Sequence, residues 1–216
     1  KMVALAAENA AKYALWAFEA AAPATTTAPV VRCRLGPAHD EVVLARCSNG
    51  AWLLYVGGSD TDNATEWLHN ASVALGRDSF AAVVQELQAL LSAHVRDEDL
   101  CVFVGYSRGA AIVLALAEVS RKEDYVVTLG DPGLTRISDA AHVTALRNQF
   151  DLVFGIVAPP SGQHHQVSAA RLTRTGWNFS LTDVGGHLNY ATTLRDEARR
   201  ASIRAVRLVA LRQQRR

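Results

Sequence analysis

The chain has 216 residues, half of them apolar, so it can bury one hydrophobic core, and we expect a single domain over residues 1–216. Its 22 basic and 21 acidic side chains nearly cancel, which gives no reason to expect a nucleic-acid partner. Three cysteines are too few for a disulfide framework and lack the spacing of a zinc site, so we predict no metal and no other cofactor. Cys33 and Cys47 flank a turn, and their spacing is consistent either with a disulfide or with two free thiols.

The first predicted element is the alanine-rich segment 2–22. Charged residues interrupt it well before the roughly 18 apolar residues that a membrane span needs, or the roughly 7 to 15 of a secretory signal core. We therefore expect an amphipathic surface helix. Its apolar side is predicted to carry four residues: Leu5, Tyr13, Trp16 and Ala20.

Beyond a Thr/Pro/Ala connector, apolar runs of strand length alternate with segments of helical periodicity. The predicted strands are 30–35, 41–47, 51–56, 100–104, 125–129 and 152–157. The predicted helices are 79–94, 109–119 and 135–149. This alternation predicts an α/β fold, with a mostly parallel central sheet flanked by helices and reactive groups at the carboxyl ends of its strands.

The remaining local patterns are weaker signals. The adjacent His164 and His165 suggest a metal, but neighbouring side chains diverge and no cysteine or carboxylate stands at ligand spacing, so we predict an exposed loop. Arginines at helical spacing near the C-terminus predict the solvated face of a helix, with transient contact with lipid surfaces as the alternative. Sequons at Asn63, Asn70 and Asn178 favour secretion slightly over a cytoplasmic location. The oligomeric state is left open.

The strongest local motif is a G-x-S-x-G pattern, Gly105-Tyr106-Ser107-Arg108-Gly109. A buried strand is predicted to run into it and a helix to leave it, which is the context of a nucleophile elbow. The two glycines would remove side chains that collide in such a tight turn. Ser107 would then stand at a helix N-terminus, where free N–H groups and the helix dipole stabilise an oxyanion. An ordinary structural turn is the alternative.

A nucleophilic serine needs a base, and that base needs an acid to orient it. After an elbow of this kind, the acid precedes the histidine in the chain. Asp151 and His187 satisfy that order. Asp131 and Asp183 are alternative acids, although the Gly-Asp-Pro-Gly setting of Asp131 is also typical of a plain turn.

Five ordered motifs together resemble the class 3 lipase family, the triacylglycerol lipases and their relatives with the α/β-hydrolase fold. They are an oxyanion-turn segment, the elbow, a strand ending in Gly-x-Pro, an Asn-x-x-Asp-x-Val segment followed by Pro-Pro, and His-x-x-Tyr. In this chain they lie at 54–60, 105–110, 128–132, 148–153 with 159–160, and 187–190. The resemblance spans residues 42–194 and implies a serine ester hydrolase, a lipase or esterase, that works through an acyl-enzyme.

The resemblance also implies a role for each of five residues. Ser107 would be the nucleophile, Asp151 the acid and His187 the base. The backbone N–H groups of Ser59 and Arg108 would form the oxyanion hole. The substrate would be a small-molecule or lipid ester.

The chain departs from the family's pattern at four positions near this site. Gly57 stands in place of Arg, Tyr106 in place of His, Arg108 in place of Leu, and Ala110 in place of Gly; none of these changes removes a catalytic atom. Segment 67–80, where the family's lipases carry an apolar lid helix, is short and mixed, which predicts a reduced lid and suits soluble short-chain esters as well as triacylglycerols. A thioesterase or acyltransferase on the same triad and a non-catalytic binding module are the alternative functions.

Overall fold

A single mixed sheet organises the chain in the computed structural model, and helices cover both of its faces. The structure describes residues 5–22, 30–59, 64–74, 76, 78–120, 124–137, 142–148, 151, 156–159, 162–167, 190, 192, 194–196 and 198–199. Within these residues no helix is both long and apolar enough to cross a membrane.

The described elements alternate as strands and helices after an initial helix. The helices are α1 (Ala7–Ala21), α2 (Ala64–Ala74), α3 (Ala81–His94) and α4 (Arg108–Val119). The strands are β1 (Val30–Leu35), β2 (Asp40–Arg46), β3 (Trp52–Val56), β4 (Cys101–Tyr106), β5 (Tyr125–Leu129), β6 (Val143–Asn148) and β7 (Gln163–Val167). Further helical residues lie between 190 and 199.

The strands lie side by side in the order in which they occur along the chain. β1, β2 and β3 are antiparallel neighbours, whereas β3 to β7 are all parallel. The predicted α/β class with a mostly parallel sheet is therefore confirmed. Because the carboxyl ends of parallel strands share one edge, the residues that follow β3, β4, β5 and β6 are brought together there.

Each face of the sheet has its own apolar core. On the first face, α3 and α4 pack over side chains such as Leu54 and Phe103. On the second face, α1 packs over side chains such as Leu53 and Val104, joined by Tyr190 from near the end of the chain. Helices α3 and α4, which lie between parallel strands, cover one face, and α1 with Tyr190 covers the other.

The buried face of helix α1 overlaps only partly with the predicted one. Its fully or nearly buried residues are four alanines: Ala10, Ala14, Ala17 and Ala20. These small side chains at helical spacing allow the helix to lie close to the sheet. Tyr13 and Trp16 are only partly buried and contact each other edge-on, with ring centroids 5.4 Å apart. Of the predicted apolar side, Ala20 is confirmed as buried, whereas Leu5, Tyr13 and Trp16 are only partly buried and pack at the margin of the second core, and Leu5 precedes the helix.

The sequence prediction is also wrong beyond β5. Within the predicted helix 135–149, residues 143–148 form β6, which pairs in parallel with β5. Val143 faces the first core and Leu146 the second, so this segment is buried on both sides, as a central parallel strand requires. Of the predicted strand 152–157, only Ile156 and Val157 are described, and they lie in a bend.

One further prediction is corrected on the sheet, and the choice left open for Cys33 and Cys47 is decided. His164 and His165 belong to β7, which pairs with β6, and not to a loop. Cys33 packs against the first core and Cys47 against the second, so these two cysteines lie on opposite faces of the sheet and remain free thiols. Burial raises the pKa of each thiol, and the charge of Glu86 adds to the rise at Cys33.

Candidate active site

Ser107 forms the turn between β4 and α4. Its φ of 54° and ψ of −119° are unusual for a residue with a side chain. The surrounding structure fixes this conformation, because the Ser107 N–H donates to the carbonyl of Leu129 at 2.8 Å and its own carbonyl accepts from Ala110. A residue held in a strained conformation at the carboxyl edge of a parallel sheet is a candidate for function.

Gly105 and Gly109 make this turn possible. A Cβ at Gly105 would lie 2.4 Å from the carbonyl oxygen of Gly109, and one at Gly109 would lie 2.1 Å from that of Val56. Both contacts involve backbone atoms, which cannot rotate away. The prediction that these two glycines avoid collisions is confirmed, and helix α4 therefore begins in direct contact with the end of β3.

The loop after β3 lies against the Ser107 turn. A Cβ on Gly58 would be 3.1 Å from the Cβ of Ser107. Ser59, the next residue, is partly buried and accepts a hydrogen bond at its Oγ from the side-chain amide of Asn70 in α2, at 3.0 Å. Among the described residues, the backbone N–H groups of Ser59 and Arg108 have no hydrogen-bond acceptor.

The side chain of Arg108 is buried inside the protein, although it follows the turn residue directly. Its Nε and Nη2 donate to the two carboxylate oxygens of Asp40 at 2.6 and 3.0 Å, and only 1% of each side chain is exposed. Phe80 lies under the guanidinium, with 5.0 Å between its ring centroid and Cζ. Removing one partner of such a buried pair typically costs about 3–5 kcal/mol, because the other charge is left uncompensated.

Arg108 also holds helix α2. Its Nη1 donates to the side-chain oxygen of Asn70, and its Nη2 donates to Nδ1 of His69 at 2.9 Å. Because guanidinium has no acceptor atom, His69 accepts at Nδ1. The ring proton is therefore on Nε2. This nitrogen lies 3.2 Å from the carbonyl oxygen of Ser79 and 3.3 Å from the carboxylate of Asp78, and both can accept its proton.

Asn70 is therefore bonded through both ends of its amide. Its oxygen accepts from Arg108 and its nitrogen donates to Ser59. Asn70 is one of the three sequon asparagines, and its amide nitrogen is hydrogen-bonded within the protein. Asn63 and Asn178, the other two sequons, lie outside the described residues.

Asp151 lies just beyond β6 and is 8% exposed. Tyr190, which is fully buried, donates its hydroxyl to Oδ2 of Asp151 at 2.7 Å. The ring of Tyr190 packs edge-on against Tyr106, with centroids 5.8 Å apart. Burial, and secondly the charge of Asp151, raise the pKa of the Tyr106 phenol above its ordinary value. Asp151 thus lies on the side of the sheet that Tyr106 faces. Tyr106 is the residue directly before Ser107 in the chain.

Of the three other candidate residues, only Asp131 lies among the described residues. Asp131 is buried and its Oδ1 accepts from the N–H of Gly133 at 2.8 Å, which is the hydrogen bond of a local turn. His187 and the alternative acid Asp183 lie outside the described residues. Tyr190, however, is three positions after His187 in the His-x-x-Tyr motif, and it contacts Asp151.

A cavity of about 280 Å³ opens beside the Gly58–Ser59 loop. Its lining is mainly polar and comprises Arg34, His39, Glu41, Tyr55, Gly58, Ser59 and Tyr106. Arg34 and Glu41 are direct partners across β1 and β2, so opposite charges share one wall. Burial, the charge of Glu41 and then Tyr106 raise the pKa of Tyr55, whose phenol stays neutral.

Sequence reasoning missed three contributors to this site. Asp40 belongs to no motif, Asn70 stands out only as a sequon and in the mixed segment 67–80, and Tyr190 stands out only in the His-x-x-Tyr motif. The available signal was Arg108 itself, since an arginine where an apolar residue is expected requires a buried carboxylate partner.

Comparison with known proteins gives structural neighbours only. No protein-family model and no curated protein sequence matches the chain. Among solved structures, the chain is similar to a deletion mutant of the Rhizomucor miehei lipase propeptide complex. The sequence identity is 13% and the TM-score is 0.49, and the match covers 77% of this chain and 69% of that chain. It is also similar to YahD with malic acid, with 14% identity, a TM-score of 0.35, and coverage of 79% and 99%. The chemistry proposed below therefore rests on this chain's own residues.

Proposed function

We propose that the chain is a serine carboxylic-ester hydrolase of the α/β-hydrolase kind. The observation that carries the proposal is Ser107, which has a φ of 54° between a parallel strand and a helix. An ordinary loop serine has no reason to adopt this conformation, whereas a nucleophile that must project from a sharp turn does. Gly105 and Gly109, which allow the turn, support the same function.

In the proposed reaction, Ser107 Oγ attacks the ester carbonyl carbon while His187 takes the hydroxyl proton. Asp151 orients the imidazole and stabilises its charged form. The negative oxygen of the tetrahedral intermediate accepts hydrogen bonds from the backbone N–H groups of Arg108 and Ser59. The carbon–oxygen bond to the alcohol then breaks, His187 returns the proton to the leaving alcohol, and water cleaves the acyl-enzyme by the same steps in reverse.

The lining of the cavity supports small, polar esters as substrates. Arg34, His39 and Glu41 would have to lose water to accommodate a long alkyl chain, and that loss would have no compensating hydrogen bonds. A short acyl or alcohol group that carries hydroxyl, amide or carboxylate groups would retain such bonds. We therefore propose soluble polar esters as the substrate class, ahead of triacylglycerols.

The decisive experiment combines a fluorophosphonate probe with a panel of p-nitrophenyl esters. The wild-type chain should be labelled once and should hydrolyse short or hydroxylated esters faster than long-chain esters. Ser107→Ala should abolish both labelling and turnover, because the acyl-enzyme forms on that oxygen. Ser120→Ala, at the other end of α4, is the matched control and should behave like wild type.

Two results would contradict the proposal. Stoichiometric labelling of Ser107→Ala would mean that another serine is the nucleophile. A wild-type chain that neither labels nor hydrolyses any ester would favour the non-catalytic binding module.

A further inference from the structure

The buried guanidinium of Arg108 is connected to the proposed oxyanion hole by a short chain of hydrogen bonds. Arg108 donates to the oxygen of Asn70, and the nitrogen of Asn70 donates to Ser59 Oγ at 3.0 Å. Asp40 fixes the other side of the guanidinium through two hydrogen bonds. The loop that carries Ser59 is thus tied to the residue that follows Ser107.

We infer that the Arg108 side chain is a positioning residue that sets the distance between the two oxyanion donors. Arg108 provides one donor with its backbone N–H, and it holds the loop that provides the other through Asn70. This inference rests on the proposed ester-hydrolase function and extends it to how the site is preorganised. Hydrogen-bond donors stabilise a transition state only if they already point to where the charge develops.

Alternative roles for Arg108 fit the geometry less well. A surface arginine that attracts anionic substrates must reach solvent, but this side chain is 1% exposed. An arginine that only neutralises Asp40 needs one bidentate contact, whereas Arg108 also donates hydrogen bonds to Asn70 and His69. Both of these residues belong to α2, and Asn70 is the one that bonds Ser59.

The first test breaks the connection at Asn70. Asn70→Leu keeps a similar size but removes the bonds to Arg108 and Ser59, so kcat should fall roughly 10- to 100-fold while KM changes little. Asn70→Asp can still accept from Arg108, and the Ser59 hydroxyl can turn to donate to it, so this variant should recover most of the lost turnover. Binding of a boronic acid that mimics the tetrahedral intermediate should weaken by the same factor as kcat/KM, whereas binding of a product carboxylate should not.

A double-mutant cycle separates positioning from general stabilisation. Ser59→Ala keeps the backbone donor but removes the Oγ that Asn70 holds. If the two side chains act as one unit, the double variant Ser59→Ala, Asn70→Leu should lose no more kcat than Asn70→Leu alone. Additive losses in kcat would overturn the inference, since they would mean that the two residues act independently.

The guanidinium itself is tested by replacing the buried pair together. Asp40→Leu combined with Arg108→Met leaves no uncompensated charge and should fold. Its kcat should fall by about as much as that of Asn70→Leu, because Asn70 loses its anchor. The matched control is Arg96→Met, which removes an arginine from the exposed Arg96–Asp99 pair and should leave kcat unchanged.

The outcomes distinguish the two proposals. If the wild type labels and turns over esters but Asn70→Leu stays within about twofold of it, the positioning inference fails and the hydrolase function stands. If the wild type shows neither labelling nor turnover, both fail. Should the Asp40→Leu, Arg108→Met variant not fold, the Asn70 series and the double-mutant cycle still decide the question.

Discussion

The contact between the start of α4 and the end of β3 can be tested by adding one methyl group at Gly109. A Cβ there would lie 2.1 Å from the carbonyl oxygen of Val56 and 2.5 Å from that of Gly57. Both are main-chain atoms at the end of a strand in the sheet, so the helix itself has to move. We expect a shift of about 1 Å, which is enough to cost roughly 100-fold in rate when it misplaces reacting groups.

Two opposing effects set the loss of stability. Alanine in place of a helical glycine gains about 1 kcal/mol of helix propensity. Overpacking in a well-packed region costs about 1–3 kcal/mol, and the high end applies here because no flexible side chain can yield. The free energy of unfolding of Gly109→Ala should therefore fall by about 2 kcal/mol, well below the loss that would unfold an ordinary domain. The kcat for a soluble ester should fall roughly 100-fold, because Ser107 moves relative to Ser59.

The matched control is Gly50→Ala. Gly50 has a φ of +87° and nothing within 4 Å of an added Cβ, so alanine there strains the backbone without pushing on a neighbour. Urea denaturation should show a loss of about 1 kcal/mol for this variant, and its turnover should equal that of the wild type. Wild-type turnover in Gly109→Ala would refute the reasoning. Equal losses of turnover in both variants would show that general stability, and not the contact with β3, controls the rate.

Four further outcomes follow from the site. Asp151→Asn should lower turnover by about three to four powers of ten, whereas Asp131→Asn, which keeps the oxygen that its turn uses, should cost far less; the opposite ranking would show that the acid is misassigned. Tyr190→Phe should lower the urea unfolding free energy by about 1.5–3 kcal/mol, the usual value of a hydrogen bond to a charged group, and an unchanged unfolding midpoint would contradict this. Because the folded chain raises the pKa of Tyr55 and Tyr106, stability should be complete below about pH 10, where the phenols of the unfolded chain begin to ionise, and should fall at higher pH; tyrosinate absorbance that appears without unfolding would refute this. Activity on a soluble ester should not rise sharply at the solubility limit, because α2 is bonded to a buried arginine and is not free to open; a sharp rise would mean that another segment acts as a lid.

The turn around Ser107 could be predicted because its causes are local. An apolar run, two glycines and a following alanine- and leucine-rich segment specify a strand, a tight turn and a helix within about a dozen residues. Helix α1 was equally clear as a helix, but its orientation was not. Alanine is a weak marker of burial, so the sequence pattern points to the large side chains Tyr13 and Trp16 as the buried side, whereas close approach to the sheet favours the smallest side chains.

The region after β5 could not be predicted in the same way. Residues 143–146 are buried on both faces of the sheet, and a short continuous apolar run of this kind has no period that distinguishes a central strand from a buried helix. β7 could not be predicted as a strand for the opposite reason, because its sequence Gln-His-His-Gln-Val is mostly polar. Only the pairing with β6 makes it a strand.

The polar contacts of the site depend on tertiary structure. Asp40 and Arg108 are 68 positions apart, and Tyr190 and Asp151 are 39 apart, so no local pattern connects them. The sequence could predict that an arginine next to Ser107, where an apolar residue is expected, needs a partner, but not which carboxylate provides it. Their pairing follows from the register of the sheet and the packing of α4 on it.

The two departures from the lipase pattern at Gly57 and Arg108 are best understood together. The pattern has an arginine before the oxyanion turn and a leucine after the nucleophile, whereas this chain has a glycine and an arginine at those positions. A Cβ at Gly57 would lie 3.3 Å from the carboxylate of Glu41, which is the flexible end of a side chain and can yield by a few tenths of an ångström. The guanidinium stands instead on α4, where Asp40 neutralises it and Asn70 extends its reach to Ser59. Arg34 and Glu41 line the cavity beside this loop, which is where we propose that a small polar ester binds.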